Sequence, residues 1–392
     1  MRWPSAWTAP SALALVEGSG IDTLLIDNSD EFEAVRSMAE RQGLQVTHPD
    51  TPPDGVTVVK GEWPGVRRSR RGGSTDAGPT GVPWVDSNGW AVRLALAMHP
   101  GHQVWIDARP PDFPNYLTAI ADSAAYGGRW ILTLDDALAS NIAAGQAKAL
   151  ETWKGVAQAT SFFAEHSGWN EYAPVALAGV VSDFTGPNEF FGGEMLNLMA
   201  RAGLHFSVLP KDALTAAACH GLRALIYADA AAPSPALRRN VLDFVESGGM
   251  LITVPSWGAA GGKAELPRFT LTAAGKGRIA QCIAAPADPY EMANDAWTLI
   301  SHRYDLVRFW NAGATGSYYA ASADRKHAVA HLLFFSDRGP DAASVRIAGP
   351  WRHVQASAVN APSLTVETIA QSDAVEIHLP QVSQYVALEL SI

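Results

Sequence analysis

One stretch decides the fold of the middle of the chain: Ser234-Pro235-Ala236-Leu237-Arg238-Arg239-Asn240-Val241-Leu242-Asp243-Phe244-Val245-Glu246-Ser247-Gly248-Gly249-Met250-Leu251-Ile252. The pattern predicts a helix over 235–246, which the two glycines close before an apolar strand over 250–254. A helix that leads directly into an apolar strand is typical of α/β structure, in which helices cover a parallel sheet.

The residues upstream repeat this alternation. Apolar strands are predicted over 175–181, 205–209 and 224–227, and a helix over 190–202. Together these elements predict a flavodoxin-like, doubly wound αβ domain within residues 171–318. Its loops would follow the carboxyl ends of the strands, where such folds bind ligands.

The amino-terminal part also alternates strands with helices. The predicted strands cover 23–26, 56–59, 103–106 and 130–134, and the predicted helices cover 30–42, 89–98, 114–126 and 147–165. These units are too few for an eight-unit barrel of about 250 residues. They predict a reduced (β/α) barrel or an open parallel sheet over residues 1–170.

The helical period disappears towards the carboxyl terminus. Short strands separated by Gly, Pro, Asn and Ser predict a small antiparallel β-sandwich over residues 319–392. The predicted fold class is therefore α/β multidomain: a reduced barrel or open parallel sheet, then a doubly wound αβ domain, then a β-sandwich.

Composition disfavours several classes of partner. The chain has 392 residues and a formal net charge of −10, whereas nucleic acid and anionic membranes both favour basic surfaces. No segment reaches the roughly 20 apolar residues of a membrane span. The apolar run at 12–16 is shorter than a signal-peptide core of about 7–15 residues. We therefore expect a cytoplasmic protein, or a secreted or periplasmic one if a signal has been removed.

No metal or other cofactor is expected. His99 and His102 form a close pair, but no third ligand accompanies them in the sequence. The G-x-G-x-x-A match at 275–280 precedes a strand rather than opening a helix after one, so it does not indicate a dinucleotide site. The two cysteines, Cys219 and Cys282, are too few for a disulfide framework.

The residues that suggest a function follow the predicted strand at 56–59. They are carboxylates, an amide and tryptophans: Glu62, Trp63, Trp84, Asp86, Asn88 and Trp90. Flat aromatic rings can stack on the C–H faces of a sugar, while carboxylates and amides bind its hydroxyl groups. The pattern predicts a carbohydrate site in which the sugar contacts Trp63, Trp84, Asn88, Trp90 and, beyond Asp107, Arg109.

Glycoside hydrolysis needs two carboxylates, roughly 5–5.5 Å apart for retention or 6.5–9.5 Å for inversion. Residues just past the strand ends of a β/α fold face the ligand, and the candidate catalytic acids are Glu62, Asp86, Asp107 and Asp135. The competing interpretation is structural. An aspartate at a strand end also caps the following helix, a tryptophan is more often buried than a sugar platform, and Arg109 could equally form an ion pair.

The order of the predicted domains resembles that of the bacterial β-galactosidases of glycoside hydrolase family 42. The stretch at 234–252 carries the resemblance best, together with Gly349-Pro350-Trp351 and the alternating residues at 375–380 and 385–390. The resemblance implies a catalytic barrel, here shorter than that of the family. It also implies a class I glutamine amidotransferase-like trimerisation domain and a terminal β-sandwich.

Two functions follow from these expectations. The first is a glycoside hydrolase-like protein that acts on or binds a carbohydrate, with its acids in the amino-terminal domain. The alternative is a non-catalytic carbohydrate-binding or assembly protein with a degenerate barrel, which forms a homo-oligomer through the middle domain. The short first domain, and the lack of an Asn-Glu pair at a strand end within it, favour the alternative. Two carboxylates facing each other across an open cleft would favour the first.

Overall fold

The computed structural model describes residues 1–392 except 68, 72–73, 77–83, 113, 287, 337–341 and 381–383. The Gly/Pro-rich segment before Trp84 therefore lies outside the described residues. The α-helices are α1 (Glu33–Arg41), α2 (Gly89–Met98), α3 (Tyr116–Ala124), α4 (Asp136–Ala143), α5 (Ala147–Glu165), α6 (Glu189–Arg201), α7 (Pro235–Glu246) and α8 (Pro289–Ile300).

Parallel strands form the amino-terminal sheet. The strands of this part of the chain are β1 (Thr23–Leu25), β2 (Gln45–Thr47), β3 (Val56–Lys60), β4 (Gly65–Val66), β5 (Ser69–Arg71), β6 (Ser74–Asp76), β7 (Val85–Asp86), β8 (Gln103–Asp107) and β9 (Arg129–Trp130). β1 pairs with β2, and β8 lies between β3 and β9, all in parallel. The first residues join the two groups, because Arg2 forms a parallel bridge with Leu25 and its amide donates to the Leu132 carbonyl at 2.8 Å.

The resulting order is β2, β1, residues 1–3, β9, β8 and β3, a row of parallel strands with β2 and β3 at its two edges. Only residues 48–55 connect these two strands, whereas a parallel crossover takes a dozen or more residues. Among the described residues β2 and β3 are accordingly not paired. One face of the sheet packs against α2, α3 and α5 in a common core. The strand predicted at 130–134 is shorter and earlier, at Arg129–Trp130.

The middle sheet has the predicted doubly wound order. The short β10 (Ala173–Pro174) precedes it, and its own strands in chain order are β11 (Ala178–Ser182), β12 (Phe206–Pro210), β13 (Ala224–Tyr227), β14 (Met250–Thr253), β15 (Lys263–Leu266), β16 (Phe269–Ala274) and β17 (Gly277–Cys282). The parallel order β12-β11-β13-β14-β17 corresponds to the 2-1-3-4-5 order of flavodoxin-like folds. β16 and β15 extend one edge as antiparallel strands, which the sequence pattern does not predict.

The stretch at 234–252 folds as predicted, for local reasons. The Ser234 hydroxyl accepts a hydrogen bond from the Leu237 amide at 3.2 Å, and Pro235 occupies the first turn of α7. The buried side of α7 packs on the middle sheet. At Gly249, between α7 and β14, a Cβ would overlap the Phe244 ring, so any larger residue there would force the ring to move.

Antiparallel strands complete the chain. They are β18 (Val307–Trp310), β19 (Thr315–Ala321), β20 (His327–Phe334), β21 (Ala343–Ala348), β22 (His353–Ala358), β23 (Ala361–Leu364), β24 (Glu367–Ala370), β25 (Ala374–Leu379) and β26 (Tyr385–Ser391). Two sheets, in the orders β10-β19-β20-β26-β22-β23 and β18-β21-β25-β24, enclose a hydrophobic core. β10 and β18 thus join the sandwich from positions before residue 319.

Helix α2 and the residues just before it pack against the middle sheet. Trp84, Trp90 and Met98 all contact the hydrophobic core of that sheet. The Arg93 guanidinium lies over the Phe206 ring of β12, 3.8 Å from its centroid. The loop that leads into α2 is therefore supported from both sides, by the amino-terminal sheet and by the middle sheet.

Candidate functional site

Two hydrogen bonds between Glu62 and Asn88 join the two ends of the loop between β3 and α2. The Glu62 amide donates to Asn88 Oδ1 at 2.9 Å, and Asn88 Nδ2 donates to the Glu62 carbonyl at 2.8 Å. Gly61 permits this approach, because a Cβ there would lie 2.6 Å from Asn88 Oδ1. These reciprocal bonds fix Glu62 just beyond the carboxyl end of β3, where β/α folds present residues to a ligand.

Asn88 is itself held by Asp122 of α3. The Asp122 carboxylate is completely buried and accepts hydrogen bonds from Ser87 Oγ at 2.6 Å, the Asn88 amide at 2.7 Å and Asn88 Nδ2 at 3.0 Å. Burial raises the pKa of Asp122 to about 6, although the three hydrogen bonds favour its charged form. Sequence reasoning missed this residue. The available signal is its position within an apolar helical run, 119–125.

Arg67 joins two of the predicted acids. Its Nη2 lies 3.0 Å from Glu62 Oε2, and its Nε lies 2.9 Å from Asp86 Oδ2. The Glu62 side chain is 65% exposed and that of Asp86 is 13% exposed. The hydrogen bond to Asp86 and the nearby Glu62 carboxylate raise the pKa of Arg67. The pairing of β4 with β7 sets Gly65 opposite Asp86 and thereby brings the two ends of the loop together.

Arg201 of α6 approaches the same carboxylate from the middle domain. Its Nη2 lies 3.3 Å from Asp86 Oδ1, its Nε donates to Asn197 Oδ1 at 3.0 Å, and its guanidinium lies 3.6 Å from the Trp84 ring centroid. Burial lowers the pKa of Arg201, although Asp86 favours the charged form. Among the described residues, Arg201 Nη1 is buried without a hydrogen-bond partner. Sequence reasoning missed Arg201, because nothing in α6 marks a residue that pairs with a loop 115 positions earlier.

Trp63 turns towards the interior of the amino-terminal domain. Its ring packs edge-on against Tyr116 and Trp130, with centroids 5.6 and 5.1 Å away. Its Nε1 is buried and has no partner among the described residues. The Tyr116 hydroxyl donates to Asp135 Oδ2 at 3.1 Å, while Asp135 Oδ1 accepts from the Leu138 amide at 2.9 Å and so caps α4. Asp135 thus has the helix-capping geometry.

Asp107 and Arg109 lie beyond the end of β8. The Asp107 carboxylate pairs with Arg2 Nη2 at 3.0 Å across the amino-terminal sheet. Arg109 is exposed.

Trp84 and Trp90 lie between the amino-terminal and middle domains. Trp84 carries Arg201 on its face, and the Trp90 ring lies against Gly193 of α6, where an added Cβ would be 3.2 Å from it. Both rings are partly buried. Their predicted contact with a sugar stays a prediction, as does that of Trp63.

Some of the predicted site residues therefore belong to one network of hydrogen bonds and ion pairs, and others lie outside it. Glu62, Trp84, Asp86 and Asn88 belong to one network through Arg67 and Arg201, whereas Asp107 and Asp135 have partners of their own. The network places the guanidinium groups of Arg67 and Arg201 beside the carboxylates of Glu62 and Asp86, in the loop that follows β3. Such charged groups can bind hydroxyl groups and supply carboxylates. Among the described residues, no three His, Cys, Asp or Glu side chains converge as metal ligands would.

No family model matches the sequence, and no curated protein matches it either. Solved structures do. A rhamnosidase from Novosphingobium sp. PP1Y is similar with a TM-score of 0.51 and 11% identity over 93% of this chain and 38% of its own. An α-L-fucosidase isoenzyme 2 from Paenibacillus thiaminolyticus is similar with a TM-score of 0.48 and 12% identity over 92% of this chain and 70% of its own. A GH42 β-galactosidase from G. stearothermophilus is similar with a TM-score of 0.47 and 9% identity over 92% of this chain and 66% of its own.

The likeness to the rhamnosidase, at a TM-score of 0.51, is one of fold. The chain spans 38% of that enzyme's length. This chain therefore shares a fold of mixed parallel and antiparallel sheets with the matched part of a glycoside hydrolase, as the sequence pattern predicts at this coarse level. Within the described part of the chain, no helix combines the length and the apolar character needed to cross a membrane.

Proposed function

We propose that the chain is a glycoside hydrolase-like protein that binds a carbohydrate at the loop between β3 and α2 and acts on it with Glu62 and Asp86. The observation that carries the proposal is the meeting of these two carboxylates around Arg67, at the carboxyl end of a parallel strand. Glycoside hydrolases use two carboxylates that lie roughly 5–9.5 Å apart, and here one guanidinium contacts both acids.

The two carboxylates have different surroundings, which suits two different roles. The Glu62 side chain is largely exposed, so a leaving oxygen can approach it, and in this proposal it acts as the general acid. Asp86 is mostly buried between Arg67 and Arg201 and supplies fixed negative charge, as a nucleophile or base does. Arg67 is half-exposed. In this proposal its guanidinium turns aside when sugar hydroxyl groups take its place on the carboxylates.

The other predicted residues support the site in this proposal. Asn88 positions the Glu62 backbone rather than touching the sugar, because its side-chain amide is occupied by Glu62 and Asp122. Trp63 follows Glu62 but packs against Tyr116 and Trp130, and Arg109 beyond Asp107 is exposed. Both stay candidate sugar contacts in this proposal. Asp107 pairs with Arg2, and Asp135 caps α4, so in this proposal both stabilise the surrounding structure.

Replacing Glu62 with Gln tests the proposal. The purified chain is assayed on aryl α-L-rhamnosides, α-L-fucosides and β-galactosides, alongside Glu62→Gln and the control Glu151→Gln on the exposed side of α5. Loss of a general acid costs about 10²–10⁴-fold in rate. We expect kcat/KM of Glu62→Gln to fall at least about 100-fold and that of Glu151→Gln to stay at the wild-type value.

Two results would contradict the assignment of Glu62 as the acid. One is full activity in Glu62→Gln. The other is sugar binding by the wild type, seen by calorimetry, with no turnover of any glycoside. The second result would identify the non-catalytic carbohydrate-binding function. A solution mass measurement then tests the remaining part of that alternative, a homo-oligomer formed through the middle domain.

A further inference from the structure

One face of the carboxyl-terminal sandwich is polar and open to solvent. Along β18, β21 and β25, buried residues alternate with partly exposed ones, so every second side chain points outward. The register aligns these side chains into two rows across the sheet. They are Trp310, Ser344, His378 and Glu367 in one row, and Arg308, Arg346, Glu376 and Ile369 in the other.

Trp310 at the edge of the first row is the most informative of these side chains. It is 37% exposed on a face that otherwise carries mainly polar groups. Tryptophan contributes a large apolar area when it is buried, and it is enriched at the centres of binding surfaces. The Arg308 guanidinium lies 5.7 Å from its ring centroid, which favours one orientation of the ring. Such an exposed aromatic ring can stack on the C–H face of a sugar.

The polar side chains beside Trp310 are held by one another. Ser344 Oγ and His378 Nδ1 are 2.7 Å apart, and Arg346 Nε donates to Gln371 Oε1 at 3.3 Å. Gln371 Nε2 in turn donates to Glu376 Oε2 at 3.2 Å. Such a network fixes donors and acceptors at set positions on the face. A ligand with many hydroxyl groups, each both donor and acceptor, matches this mixture.

The charges of the face select among ligand classes. Its two arginines, Arg308 and Arg346, face three acids, Glu367, Glu376 and Asp373, the last of which pairs with Arg346 at 3.1 Å, so the face has no excess of positive charge. A nucleic acid would require an excess of positive charge. The core of a protein–protein interface is depleted of charged residues, which are frequent here. A neutral, polyhydroxylated chain fits the mixture of charges and the exposed ring of Trp310.

We propose that this outward face, formed by β18, β21, β25 and β24, binds an extended neutral polysaccharide. Three strand spacings of about 4.8 Å give it a width of roughly 14 Å, enough for a short run of sugar units laid across the strands. The ligand class is that of the proposed function, but the observation is independent of the loop at Glu62. The face would hold the chain on a polymer while the loop at Glu62 engages a sugar.

The experiment is affinity electrophoresis of the full chain in native gels that contain a soluble galactan, arabinogalactan, xylan or β-glucan, with polygalacturonate as the anionic comparison. Trp310→Ala is compared with wild type and with Tyr290→Ala, which removes a ring that is 45% exposed on α8. We expect at least one neutral polymer to retard wild type and Tyr290→Ala. The apparent Kd of Trp310→Ala should rise at least about 10-fold, as for a central aromatic contact.

The proposal is overturned if no neutral polymer retards the wild type, if only polygalacturonate does, or if Trp310→Ala migrates like the wild type. Equal melting temperatures of the two alanine variants show that both are folded. Arg308→Ala, which removes the cation beside the ring but keeps the ring, should weaken binding less than Trp310→Ala. Retardation in the gel and turnover of aryl glycosides are separate measurements, so failure of the loop proposal and failure of this one give different results.

Discussion

Replacing Lys211 with Met is expected to lower the free energy of unfolding by about 3 kcal/mol, because it leaves a buried carboxylate without its cation. Lys211 follows β12, and its Nζ lies 2.6 Å from Asp183 Oδ2 and 2.8 Å from Asp229 Oδ2. Asp229 is fully buried at the end of β13. Burial by itself would raise the pKa of Asp183, but hydrogen bonds from Lys211 and Asn188 outweigh it and lower that pKa to about 2.

Urea unfolding at pH 7 measures this loss. Lys148→Met on the exposed side of α5 is the control and should change stability by less than about 0.5 kcal/mol. Adding Asp229→Asn to Lys211→Met should restore part of the stability, since it removes the charge left unpaired. A loss below about 1 kcal/mol in Lys211→Met would mean that these charges are solvated, and the buried-pair interpretation would be wrong.

Replacing Asp122 with Asn is expected to change how stability depends on pH. Asp122 has a pKa of about 6 in the folded chain, against an ordinary value of 3.8 for an aspartate. Between these values the folded chain binds more protons than the unfolded one, so the free energy of unfolding of the wild type falls as pH rises. About two pKa units correspond to roughly 3 kcal/mol at most. An asparagine at this position does not titrate. The stability of the variant relative to the wild type should therefore increase from pH 4.5 to pH 7.5.

Urea unfolding at pH 4.5, 5.5, 6.5 and 7.5 gives this difference directly. Ser87→Ala serves as a companion variant, because it removes a hydrogen bond that favours the charged form of Asp122. In Ser87→Ala the free energy of unfolding should fall more steeply with rising pH than in the wild type, whereas in Asp122→Asn it should fall less steeply. Parallel pH profiles for all three proteins would show that Asp122 does not couple folding to pH.

Much of the fold is encoded locally and can be predicted from the sequence. The cap at Ser234, the buried stripe of α7 and the glycines before β14 all act within one helix and its turn. The parallel strands of the middle sheet follow from the alternation of strands and helices, whereas their 2-1-3-4-5 order is seen only in the structure. The antiparallel β15 and β16 escape prediction because their short, mixed sequences carry no clear period, and their pairing depends on the edge offered by β17.

The candidate site is predictable only in part, because its geometry depends on contacts between distant residues. The strand-end position of Glu62 and the composition of the loop are visible in the sequence. The Asp86–Arg201 pair joins two domains, and the Asp122–Asn88 bonds join a loop to the interior of a helix. The Arg2–Asp107 pair likewise depends on residues 1–3 entering the sheet between β1 and β9. No periodicity or motif specifies such pairings.

The packing of Trp84 and α2 on the middle sheet has a thermodynamic consequence. Asp86 is bonded at once to Arg67 in the loop and to Arg201 in α6, so the loop and the middle domain share one electrostatic network. A ligand that changes the position of Asp86 must also change the free energy of the interaction between Asp86 and Arg201 of α6. By reciprocity, a change that loosens α6 changes the affinity of the loop by the same amount. The middle domain is thus energetically coupled to the proposed binding site, even where none of its atoms would touch the ligand.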